Sequence, residues 1–111
     1  MISLDKLKEF GANVEEGLTR CMNNEEFYIM LVNKVLTDNK LDLLEQQIKE
    51  KNLDAAFETA HALKGMYANL SLDPITKPVT ETTELLRSRS DVDYSALITE
   101  AKSQFAKLKE L

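Results

Sequence analysis

The chain has 111 residues, enough for one domain around one core, and 43% are hydrophobic, an ordinary share for a globular fold. Its formal charge is -5 with the lysines and arginines dispersed, which excludes the basic stripe that a nucleic acid or an anionic membrane would need. A lone cysteine, Cys21, excludes an internal disulfide, and no apolar run has the length of a membrane span or the pattern of a signal peptide, so a cytoplasmic protein is expected.

Few glycines and prolines and many Leu, Glu, Lys and Ala predict helix almost throughout. Ser3 caps a short helix ending near Phe10-Gly11, and Val14 to Cys21 makes a second before the Asn23-Asn24 pair. Cys21 reads as a small buried hydrophobe, with a reactive thiol as the less favoured alternative. Asn24 followed by Glu25 and Glu26 opens a helix whose buried stripe is Tyr28, Leu31, Val32 and Val35. Leu41, Leu44 and Ile48 form a stripe out of phase with it at about 100° per residue, which places a bend or break near Thr37 to Asn39.

Asn52 caps the next helix, where Leu53, Ala56, Ala60, Leu63, Tyr67 and Leu70 share one face. Asp73-Pro74 ends it and opens another; Pro78, too deep for a first turn, moves the expected start of regular helix to Pro78 itself. From there Val79, Thr82, Thr83 and Leu86 face inward, and Ser88-Arg89-Ser90 turns the chain. Asp91 or Asp93 caps the last helix, with Tyr94, Leu97, Ile98, Ala101, Phe105 and Leu108 at helical period. The expected fold is all-α: an antiparallel four-helix bundle over 24–110 with the short helices of 1–22 packed as a lid, together one domain over 1–111.

The one histidine, His61, lies in Ala60-His61-Ala62-Leu63-Lys64-Gly65-Met66-Tyr67-Ala68-Asn69-Leu70, roughly 100° round from Ala60 and so off the buried stripe. His61, Lys64 and Gly65 share a surface at spacings of three and four. A neutral imidazole is a competent phosphoryl acceptor, and a lysine beside it balances the charge acquired. Gly65 costs roughly 1 kcal/mol relative to Ala in a helix interior, so its place beside His61 points to access, and Ala68 keeps the surface flat. The three glycines form no phosphate loop, one His and one Cys give no metal spacing, and no cleft supports a Ser or Cys nucleophile. A kinase, a metal site and a hydrolase are therefore not expected.

AHALKGMYANLSL closely resembles the signature of histidine-containing phosphotransfer (HPt) domains of two-component phosphorelays, Ala-His-x-Leu-Lys-Gly, then a small residue and Asn-Leu-Gly. Upstream, GANVEEGLTRCMNNEEFY resembles the leader of many single-domain members. The resemblance implies that His61 is phosphorylated, Lys64 holds the phosphoryl group and Gly65 admits the partner, with Ala62, Met66, Ala68 and Asn69 on the docking face. It implies reversible transfer between an aspartyl phosphate on a response-regulator receiver domain and His61 Nε2, and onward passage of the group. Histidine kinases or hybrid kinases are the other implied partners, with no cofactor on this chain, magnesium on the receiver, and a monomer that is no enzyme in its own right.

Two positions depart from the pattern. Ser71 stands where the family has Gly. Thr82 and Thr83 match a Leu-Glu pair whose Glu orients the histidine ring in some members, and Glu84 would reach that place only after a shift in register. The alternative of another class is a helical adaptor that binds a receiver or kinase domain without taking phosphate.

Overall fold

A computed structural model describes residues 2–38 and 40–111. The described residues form seven helices and no strand: α1 (Leu4–Phe10), α2 (Val14–Arg20), α3 (Glu25–Leu36), α4 (Lys40–Lys49), α5 (Leu53–Asn69), α6 (Asp73–Arg87) and α7 (Ser95–Lys109). The starts follow the side chains that precede them. Ser3, Asn13, Asn24 and Asn52 each accept the free N–H three residues on, at 3.2, 3.2, 3.1 and 3.3 Å. α1 stops at Gly11, whose φ of 113° favours glycine. The expected break lies between α3 and α4, where Thr37 closes one helix and Asp38 accepts the Lys40 N–H; Asn39 falls outside the described residues.

Two expectations about helix starts are corrected. α6 does not wait for Pro78 but runs from Asp73 through it. Pro74 sits in the first turn, where a missing N–H is harmless, and Pro78 forfeits one bond, to the Pro74 carbonyl, while its ring is buried. α7 is preceded by Tyr94, not Asp91 or Asp93, at the N-cap. Tyr94 is 4% exposed, so packing sets the entry, and Asp93 instead accepts the first helical N–H, from Ser95, at 2.9 Å.

α5 packs along α6, α6 along α7, and α4 against both α5 and α7, while α1 and α3 each touch α2 and α7. Buried residues of all seven helices, from Leu7 and Val14 through Tyr28, Leu44, Leu63 and Val79 to Ile98, make one hydrophobic cluster, with Cys21 buried in it. The N-terminal helices bind the end of α5 through polar contacts. The Asn13 N–H donates to Ser71 O at 2.9 Å, Arg20 to Ala68 O at 2.7 Å and Ser71 Oγ at 2.8 Å, and Tyr28 to Leu70 O at 2.8 Å. Burial, with the Cys21 and Asp73 charges adding, pushes the Tyr28 phenol up to about 12. A Cβ on Gly17 would stand 2.7 Å from the Tyr28 ring, so α2 reaches α3 this closely only with glycine there.

Ser71, the departure from the Asn-Leu-Gly pattern, has φ of 55°. That left-handed geometry is the physical reason for glycine at such a position, and here the Arg20 bond to Ser71 Oγ offsets part of the strain.

Candidate functional site

α5 carries the site because its period separates two faces. Ala56, Ala60, Leu63 and Tyr67 are buried, and His61, one residue from Ala60, is exposed. Lys64 is half-exposed one turn on, and Gly65 is exposed with nothing within 4 Å of where its Cβ would stand. The structure thus brings His61, Lys64 and Gly65 together on one open flank. Ala68 is half-buried further along it, its carbonyl taken by Arg20.

The remaining docking candidates lie elsewhere on the helix. Ala62 is exposed, and half-buried Met66 lies roughly 140° round from His61. With exposed Asn69, Met66 lines a groove of about 310 Å³ against Leu31, Lys34, Val35 and Asp38 of the α3 side.

A second group of residues, from α5 itself, the end of α6 and the turn after it, gathers around Phe57 beside the imidazole. Phe57, one turn before His61, stacks on it with ring centroids 5.7 Å apart and planes 18° from parallel. The Arg87 and Arg89 guanidiniums lie over the Phe57 ring at 5.1 and 5.2 Å. Arg87 Nε donates to Glu84 at 2.9 Å; Arg89 Nε donates to Asp54 at 2.7 Å, and Arg89 also donates to Leu86 O at 2.6 Å. The hydrogen bond and charge of Arg87 hold the Glu84 carboxyl below the usual carboxylate range, with smaller contributions from Lys64 and His61.

Neither threonine at the expected ring-orienting positions serves the imidazole. Thr82 and Thr83 are buried, and their hydroxyls donate within α6, to Pro78 O at 2.8 Å and Val79 O at 2.7 Å. Glu84 feels the charges of Lys64 and His61, but its hydrogen bond goes to Arg87. Among the described residues, no side chain hydrogen-bonds the His61 ring.

Phe57, Arg87 and Arg89 escaped the reading of the sequence. Phe57 was within its reach, because i and i+4 positions on a helix face each other. The arginines were not, since the register of α6 on α5 is absent from either helix's periodicity.

The arrangement offers an exposed nitrogen nucleophile, a nearby ammonium and open space for an approaching domain. Among the described residues no group of three or more His, Cys, Asp or Glu is placed to hold a metal ion, and no helix is long and apolar enough to cross a membrane. A family model for the Hpt domain matches residues 35–111, which contain α4 to α7 and every residue of the flank just described. Neither the curated proteins nor the solved structures yield a match.

Proposed function

The chain belongs to the Hpt domain family, phosphotransfer modules of two-component signalling, and on that premise we propose that His61 is its phosphoacceptor. The observation that carries this reading is the open flank of α5, where an exposed imidazole stands beside Lys64 and a glycine with empty space above it. Nε2 supplies the electron pair for the new N–P bond; the bond from phosphorus to the receiver's aspartate oxygen breaks, and the carboxylate leaves with its pair. Nδ1 keeps its proton. The reverse sequence passes the group to a second receiver. Lys64 balances the phosphoryl charge, and Gly65 lets the receiver's acidic site come within bonding distance.

We further propose an antiparallel four-helix bundle over 24–110, a reading to which the contacts of α4, α5, α6 and α7 in a ring lend support, with the short helices of 1–22 as its lid and 1–111 as one domain. Ala62, Met66, Ala68 and Asn69 extend the docking face, with receiver and kinase domains as partners, on a cytoplasmic monomer.

Incubation with a ³²P-labelled receiver tests the reading. The parent should take an acid-labile, base-stable label and His61→Gln none, with unchanged circular dichroism. Label persisting in the variant, or a parent that binds the receiver and stays unlabelled as an adaptor would, overturns the assignment.

A further inference from the structure

We infer that Phe57 is the positioning residue of this site, holding the His61 ring by stacking where a hydrogen bond from α6 is missing. The inference rests on His61 as acceptor. An exposed helical side chain with no hydrogen-bonded ring is free to change rotamer, and each change moves the nucleophilic nitrogen by several ångströms. Helical side chains lean toward the N-terminus, over the residues three and four before them, so His61 leans onto Phe57. A centroid separation of 5.7 Å at 18° is a near-parallel, attractive contact between the two rings.

Phe57 is in turn held from the last residue of α6 and the turn after it. Arg87 and Arg89 sit over its ring at 5.1 and 5.2 Å, within cation–π range. Arg89 is fixed by Asp54 of the first turn of α5 and by Leu86 O at the end of α6. A chain of contacts therefore runs from the α6 terminus through Arg89 and Phe57 to the imidazole. Stacking differs from a carboxylate hydrogen bond in one consequence: it fixes the direction of the ring and leaves either nitrogen free to carry the proton.

Because His61 is the only histidine, its ring protons are assignable by inspection. The experiment compares the parent with Phe57→Leu, Phe57→Trp and Arg87→Gln, reading the His61 χ1 couplings, the ring-proton shifts and the rate of transfer from a phosphorylated receiver. Phe57→Leu should average the couplings, remove the aromatic shielding and slow transfer about tenfold, while Phe57→Trp keeps all three near the parent. Arg87→Gln, on an exposed position, should move them in the same direction by about twofold without removing a half-buried ring. Phe57→Leu with the parent's couplings, or with averaged couplings and the parent's rate, overturns the inference, as does Phe57→Trp behaving like Phe57→Leu. A parent that takes no label defeats the acceptor reading instead, and the couplings still judge the stack.

Discussion

Along α5, Ala56 and Ala60 are 0% exposed and Leu63 and Tyr67 1%, while His61, Ala62 and Gly65, interleaved with them, face solvent. The buried face is filled by neighbours from other helices, and its end is tied down by Tyr28 and Arg20. The open flank has one stacked ring, a lysine and an empty place over Gly65. With His61 as the proposed acceptor, such a helix would carry stability on one side and transfer on the other, so substitutions on the two sides should separate the two properties.

The largest effect is expected on the buried side. Leu63→Ala leaves a cavity and should cost about 3 kcal/mol, lowering Tm on the order of 15 °C. At temperatures where the variant is folded, it should still accept phosphate at the parent's rate. Slow labelling of folded protein would break the separation, making the core part of the transfer machinery.

Gly65→Leu probes the other side with opposite signs. The Cβ meets nothing within 4 Å, and Leu has the better helix propensity by nearly 1 kcal/mol, so Tm should hold or rise. Transfer from a receiver should fall on the order of a hundredfold, since holding the two centres about 1 Å apart has a cost of that size. A small phosphodonor should be affected less. A variant that melts well below the parent, or transfers as fast, would show that access is not what Gly65 provides.

Alkali sharpens the comparison from the buried side again. Tyr28 ionises near 10 when unfolded and about 12 when folded, so the folded state keeps a proton that the unfolded chain has lost between those values. The stability this contributes is fully present below pH 10 and is lost as pH rises toward about 12. Urea unfolding across that range should show stability falling. Tyr28→Phe should make the fall shallower, leaving the share of the other raised tyrosines, while costing about 1–2 kcal/mol at neutral pH through loss of the bond to the buried Leu70 carbonyl. An equally steep fall in the variant would assign the effect to Tyr67, which burial raises too.

The buried face of α5 was legible in the sequence because a single helix's period determines it: Ala56, Ala60, Leu63 and Tyr67 are apolar at i, i+4, i+7 and i+11. Ser3, Asn24 and Asn52 were legible for a related reason, that an N-cap acts within three residues of chain. Pro78 was misplaced because the proline rule is local and its burial against the other helices is not. Arg87 and Arg89 were invisible on the same ground: which residues at and just beyond the end of α6 lie beside Phe57 depends on how two helices slide past each other. Among the docking candidates, Met66 lies roughly 140° from His61 by spacing alone, so a docking face that includes it wraps round α5.

The smallest expected effect, at Lys64, is the finest test of the open flank. Lys64→Ala removes a half-exposed charge that acts on Glu84 as well as on any phosphoryl group at His61, and Glu84 keeps its bond to Arg87 without it. Stability should stay within about 0.5 kcal/mol of the parent, as for other surface substitutions away from caps and cores. Phosphoryl transfer should slow by about twofold to fivefold, the range for one solvent-exposed ionic contact. Because such a contact is screened, the gap between variant and parent should narrow as salt rises from about 0.05 M to 1 M, where the Debye length shrinks to about 3 Å. A gap that stays constant with salt would mean that the lysine's stem shapes the docking surface and its charge does not assist the phosphoryl group. No gap at any salt would mean that the Lys64 charge takes no part in transfer.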